Sequence, residues 1–226
     1  MKRNYQKEME QVIQEQLNQE KVPRLLLHSC CAPCSSSVLE YLSRYFQITV
    51  FYYNPNIYPP QEYKKRVEEQ QSFIEKFTKN ILAEQESRRI FYPIDFVEGT
   101  FDSQRFYKMA EGMEHLPEGR ERCFQCYELR LRESAEYAKK LELDYFTTTL
   151  SVSPLKNAEK LNEIGERLAE EYGISYLCSD FKKKNGYKRS VELSRAYGMY
   201  RQDYCGCVFS KQERERQKEQ HSKTLQ

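Results

Sequence analysis

Short, nearly unbroken apolar runs alternate along this chain with longer stretches in which apolar residues recur every third or fourth position. Residues 5–20 place Met9, Val12, Ile13 and Leu17 on an otherwise polar background, which predicts an appended helix with a thin apolar stripe. The run ValProArgLeuLeuLeuHis, ending at His28, predicts a buried strand. Ser35, Ser36 and Ser37 offer an N-cap for a helix through Phe46. IleThrValPheTyrTyr is β-branched and aromatic and ends at Asn54 and Pro55, the mark of a second strand. A charged amphipathic helix follows from Glu62 to about Lys79, with Phe73, Ile74 and Phe77 as its apolar face. IlePheTyrProIleAsp, residues 90–95, is a third candidate strand, and residues 97–120 show no clear period. Beyond Cys126 a helix is predicted over 127–141, then a fourth strand over 144–150 and a helix from Asn157 to Tyr172 stopped by Gly173. Strand and helix in this rhythm predict an α/β fold, a Rossmann-like parallel sheet with helices on both faces and an added metal-binding helical and loop region. The expected organisation is an appended helix over 1–20, one α/β domain over 21–210, and a charged tail over 211–226 that is frayed helix or disordered.

Composition narrows the class. A chain of 226 residues supports one well-buried domain. Charged residues make up 31% of it and no apolar run approaches the ~20 residues that span a bilayer, so no membrane role is expected. The first ten residues hold no apolar segment of a secretory signal, and the expected compartment is the reducing cytoplasm. A net charge of +2 neither demands nor excludes a nucleic-acid partner.

The chemistry lies in the cysteines. Seven of the eight fall into three groups: Cys30, Cys31 and Cys34; Cys123 and Cys126; Cys205 and Cys207. Clustered thiols in a reducing compartment point to metal or redox chemistry, not to a disulfide framework. Two C-x-x-C groups brought together give four sulfur ligands, which suits a structural zinc and a 4Fe–4S cluster equally. Cys178, alone, reads as a small buried apolar residue. The first group directly follows the first predicted strand, and in open parallel sheets ligands bind beyond the carboxyl ends of strands.

HisSerCysCysAlaProCys, ArgCysPheGlnCysTyrGluLeuArgLeu, ThrThrThrLeu with SerProLeuLysAsn, and TyrArgGlnAspTyrCysGlyCysValPheSer occur in this order. Together they resemble the cobalamin-independent, QueH-type epoxyqueuosine reductase family, from about Leu25 to Ser210. The resemblance implies a nucleotide alpha-hydrolase-like fold and an oxidoreductase that reduces epoxyqueuosine to queuosine at the tRNA wobble position, as a step of queuosine biosynthesis. It further implies a 4Fe–4S cluster held by Cys30, Cys31, Cys123 and Cys126, with tRNA carrying epoxyqueuosine as partner. Cys205 and Cys207 match the family's C-x-C, either as a redox-active dithiol that closes to a strained disulfide or as ligands of a second, mononuclear iron. Cys34 then ligates that iron, substitutes in the cluster, or idles. Loss of the epoxide oxygen as water takes two electrons and needs an acid, for which Asp180 is a candidate. No dinucleotide fingerprint identifies the electron donor.

Residues near these motifs have paired readings. His28 is either a buried histidine bonded to backbone or a donor beside the cluster active near neutral pH. Lys182, Lys183, Lys184, Lys188 and Arg189 form either a solvated run or a grip on tRNA phosphates, which Lys156, Arg195 and Arg201 would extend. Tyr52, Tyr53 and Asn54 read mainly as packing, with base stacking as the alternative. Two rival functions remain: an iron–sulfur tRNA sulfurtransferase, and a non-catalytic zinc-stapled RNA-binding module. The first, in its ATP-using form, wants a Gly- and Ser-rich pyrophosphate loop where CysCysAlaProCys stands.

Overall fold

A computed structural model of the chain describes residues 3–84 and 91–224. The helix α1 (Tyr5–Asn18) precedes β1 (Arg24–His28), α2 (Ala32–Leu42), β2 (Gln47–Tyr52), α3 (Pro60–Glu84) and β3 (Ile94–Glu98). The helices α4 (Ser103–Ala110) and α5 (Glu121–Lys140) lead to β4 (Tyr145–Thr148) and a 3-10 turn over Thr149–Val152. Then come α6 (Ala158–Tyr172), β5 (Ser175–Tyr176), α7 (Gly186–Ala196) and α8 (Val208–Thr224). The five strands form one parallel sheet in the order β3-β2-β1-β4-β5, the α/β architecture expected from the alternation.

The centre of the sheet is β1. Leu26 pairs in register with Thr49 of β2 and with Phe146 of β4. A central parallel strand is covered on both faces, which is why this one reads as a continuous apolar run. Side chains alternate across it. Leu25 and Leu27 pack with Met9 and Ile13 of α1, Val38 and Leu42 of α2, and Phe73 and Phe77 of α3. Leu26 packs with Leu131 and Ala135 of α5 and with Leu161 and Leu168 of α6. The same parity turns His28 toward the α5 side, and this places the site.

Several boundaries differ from the expectation. The third strand starts at Ile94 instead of Ile90, which lies outside the described residues; Pro93 has no N–H to give a ladder, so pairing begins after it. Helix α2 starts at Ala32, three residues before the serines expected to cap it, because Pro33 fixes a helical φ in its first turn. Ser35 and Ser36 bond back to the carbonyls of Ala32 and Pro33 instead. Helix α4, in the stretch without visible period, is capped by Asp102 and buries only Phe106 and Ala110. Cys123 and Cys126 lie inside α5, not before it, and so share one face of its first two turns. The charged stretch from 211, expected frayed or disordered, is helical to Thr224. Among the described residues no helix is long and apolar enough to cross a membrane.

Candidate metal and redox site

The order β2-β1-β4 makes the gap between the carboxyl ends of β1 and β4 the point where crossovers leave in opposite directions, and a crevice opens there. It encloses about 280 Å3. Cys30 and Cys31 line it from the β1–α2 loop and Cys34 from the first turn of α2, Leu150 and Val152 to Lys156 from the segment after β4, and Arg201 to Cys205 from the segment before α8.

The three thiols of the first group converge. Their sulfurs lie within 4.8 Å of one another, the only such set of three or more potential metal ligands among the described residues. Cys30 and Cys31 Sγ are 3.8 Å apart. Hydrogen bonds from the Cys31 and Cys34 thiols, helped by the nearby Arg130 charge and Thr149, hold the Cys30 thiol well below its ordinary pKa. The same sharing pushes Cys31 and Cys34 up, so Cys30 is the thiol of the three that ionises first.

The loop carrying these thiols is framed by buried polar side chains. Ser29 Oγ donates to Gln70 Oε1 of α3 at 2.7 Å, and Gln70 Nε2 donates to Ser35 Oγ at 3.0 Å. Asn54 Nδ2 donates to the Ser29 carbonyl at 2.8 Å. Asn54 Oδ1 in turn accepts from Arg130 at 2.5 Å, and Arg130 Nε reaches His28 Nε2 at 3.3 Å. His28 is fully buried, bonded through Nδ1 to Thr148 Oγ1, and burial together with the Arg130 charge lowers its pKa to about 3. It is the buried histidine of the two readings, its ring nitrogens facing Thr148 Oγ1 and the Tyr53 carbonyl and its basicity lowered by burial and the neighbouring guanidinium. Tyr52 and Tyr53 are buried, and Tyr53 packs parallel to Phe51, as the packing reading expects.

The second and third cysteine groups meet each other. Cys126 and Cys207 share one buried cluster with Phe106. Burial lifts Cys126 to about 12 and raises Cys123, whose Sγ accepts the Gly119 N–H at 3.2 Å. Both lie outside the compact three-thiol set. Cys205 and Cys207 are not bridged. Their sulfurs have different partners: Cys205 Sγ accepts from Lys156 Nζ at 3.0 Å, while Cys207 Sγ faces Ser210 Oγ at 3.4 Å. Cys178 is only half-buried, beside Glu166 at 3.5 Å, instead of buried among apolar neighbours.

Three buried cations line the crevice, Arg66, Arg130 and Lys156, and a fourth, Arg122, lies near Cys207. Lys156 thus belongs to the crevice, where its Nζ also pairs with Glu118 at 2.6 Å, and not to an exposed basic patch. Arg66 is paired with Glu62 at 2.7 Å, yet its Nη2 is buried without a hydrogen-bond partner. Asp180, in contrast, pairs with Lys182 at 2.6 Å and does not line the crevice. The basic run is largely answered locally, Lys184 by Glu10 and Arg189 by Glu40 and Glu192, while Lys183 and Lys188 form no ion pair among the described residues. Gln70, Arg66 and Glu118 were not singled out from sequence, each being a polar residue in a helix or loop that carries no motif, whereas Arg130 lies inside the ArgCysPheGlnCysTyrGluLeuArgLeu motif without having been assigned a role.

A crevice at the strand ends with clustered thiols is compatible with a metal centre, and its family can be named. The family model for the epoxyqueuosine reductase QueH matches residues 25–213. The chain belongs to this family. A Staphylococcus epidermidis protein described as epoxyqueuosine reductase QueH is 39% identical over 209 residues, which cover 92% of this chain and 84% of that one. One so described from Streptococcus pyogenes is 38% identical, over 92% of this chain and 78% of its own. One from Thermotoga maritima is 35% identical, over 84% and 91% respectively. All three cysteine groups fall within the matched QueH region.

Proposed function

We propose that this chain is an oxidoreductase that reduces epoxyqueuosine in tRNA to queuosine, using a 4Fe–4S cluster held by thiols of the crevice. Membership of the QueH family, joined to a crevice at the strand ends that gathers three thiols, supports this reading. The reaction consumes two electrons and two protons, breaks both C–O bonds of the epoxide, and releases the oxygen as water. When bound, a 4Fe–4S cluster supplies electrons one at a time.

The donor set fits such a group. Three clustered thiols face the cavity, and buried Arg66, Arg130 and Lys156 provide positive charge for an anionic iron–thiolate assembly. Cys30 and Cys31 are its proposed ligands with Cys123 and Cys126 of α5, and Cys34 stands ready beside them. Cys205 and Cys207 are the proposed redox dithiol, whose closure to a disulfide releases two electrons and two protons, the number the reaction consumes, and Cys205 already reaches the cavity. Lys156 with Glu118 is better placed than Asp180 to hand a proton to the departing oxygen, because both line the crevice and Asp180 does not. Ligation of a second iron by Cys205 is the competing role, since its sulfur and Cys34 line the same crevice. A cytoplasmic location follows from the substrate proposed.

Two experiments on anaerobically purified protein test this. Iron, sulfide and zinc analysis with electron paramagnetic resonance should find about four irons and four sulfides per chain. Incubation with epoxyqueuosine tRNA and a chemical reductant, followed by nucleoside digestion and mass spectrometry, should find queuosine. One zinc, no sulfide and unchanged nucleoside would leave the zinc-stapled module instead.

A further inference from the structure

We infer that Leu155 and Tyr187 form an apolar clamp at the crevice mouth, which stacks on the unpaired RNA bases flanking the one being reduced. The inference rests on the function proposed above. Leu155 is 72% exposed and Tyr187 42% exposed, placing both among the few exposed large apolar side chains. Both line the thiol crevice. Exposed apolar groups are unremarkable when scattered, but two from separate elements at one functional mouth call for an occupant. Leu155 sits on the turn after β4 and Tyr187 in the first turn of α7, so the sheet and helix layers fix their positions independently.

The chemistry of the mouth selects single-stranded RNA. A crevice of about 280 Å3 is at the small end of ligand pockets, so a base entering it leaves its neighbours outside. Those neighbours present apolar π faces joined by phosphates. Tyr187 offers an aromatic face, and the Arg201 guanidinium lies 5.9 Å from its ring. Arg201 bonds only to Ser194 Oγ and the Ser190 carbonyl, forms no ion pair among the described residues, and lines the same crevice. An aromatic ring beside a charge-free-to-bind guanidinium is the pairing that single-stranded nucleic-acid grooves use. The 182–189 run, by contrast, has spent most of its charge on Asp180, Glu10, Glu40 and Glu192.

The test measures fluorescence anisotropy of a labelled RNA hairpin with the sequence of a tRNA anticodon arm and guanosine at the wobble position, titrated with the anaerobically purified chain. Tyr187→Ala and Leu155→Ala should each weaken binding roughly 5- to 100-fold, the range of lost base stacking. Tyr187→Phe should stay within about 2-fold, since the ring persists. A fully paired RNA of the same length should bind more weakly and ignore all three substitutions. Unchanged thermal midpoints are expected, because neither side chain is buried. Tight hairpin binding by the parent with no change in Tyr187→Ala and Leu155→Ala overturns the clamp and leaves the proposed reaction standing. No hairpin binding by the parent, with nucleoside unchanged in the reductase assay, overturns both.

Discussion

Gln70 is the perturbation whose cost the structure defines best. Its side chain, like those of Ser29 and Ser35, has no solvent exposure. In Gln70→Leu the shape is nearly conserved, so no large cavity enters, and the effect is that of lost hydrogen bonds. Ser35 keeps an acceptor, since its hydroxyl already lies 3.1 Å from the Ala32 carbonyl. Ser29 does not: its remaining acceptor, the Cys31 carbonyl, is 3.5 Å away, at the limit of a bond. One buried hydroxyl is left unsatisfied, a loss of ~1–2 kcal/mol. For a chain of this size that is a fall of roughly 2–8 °C in thermal midpoint. The double variant Ser29→Ala with Gln70→Leu should recover most of it, because removing both partners of a buried bond is nearly neutral. The assay is thermal unfolding by circular dichroism on metal-depleted protein kept reduced. A single variant as stable as the parent, or a double variant no more stable than the single, would refute the claim that Gln70 anchors the thiol loop.

His28, with an ordinary value of 6.5 lowered to about 3, takes up its proton in the unfolded chain first; stability is therefore full above pH 6.5 and falls as the solution is acidified toward pH 3. Between pH 6.5 and 5 the loss is ~2 kcal/mol, and urea melts of metal-depleted protein should lack this limb when His28 is replaced by Asn. Gly165→Ala should destabilise by ~1–3 kcal/mol despite better helix propensity, because the new Cβ would stand 2.3 Å from the Tyr176 ring; adding Tyr176→Val should relieve it, as denaturant midpoints will reveal. Cys34→Ala should lower the iron retained per chain after gel filtration, as expected of a thiol within 4.8 Å of Cys30 and Cys31; full retention would make Cys34 a bystander.

The strands and long helices were legible because their signals are periodic and local. Leu25 to Leu27 announce a strand buried on both faces, and Ala158–Tyr172 announces a helix ended by Gly173 in the left-handed region. Helix α4 was not legible, since eight residues with two buried positions scarcely exceed chance spacing. Strand β5 is two residues long and exists because Phe146 offers it a ladder edge, which no local pattern encodes. The start of α2 was misjudged for a physical reason: serine favours an N-cap, but Pro33 tolerates the first turn equally well and displaced the cap onto Cys31.

The candidate site divides along a similar line. Cysteines declare themselves by rarity and spacing, so the thiol groups could be read directly. What surrounds them could not, because Gln70 reaches Ser29 from 41 positions away, Lys156 reaches the Cys205 sulfur from 49 and Arg66 reaches the Cys205 carbonyl from 139. The basic run around Lys184 misled for the converse reason. A count of cations over 182–189 suggests a phosphate grip, but Glu10 and Glu40, distant in sequence, are folded against it and neutralise much of it. Charge density in sequence therefore overstates this loop, and it understates the crevice, where three cations far apart in sequence converge. A thiol cluster that is to hold negative charge in a buried place needs such cations, since an unpaired buried charge costs several kcal/mol. The arginines and lysine around Cys30 are thus as much a requirement of the chemistry as the cysteines, and only the fold of the sheet brings them together.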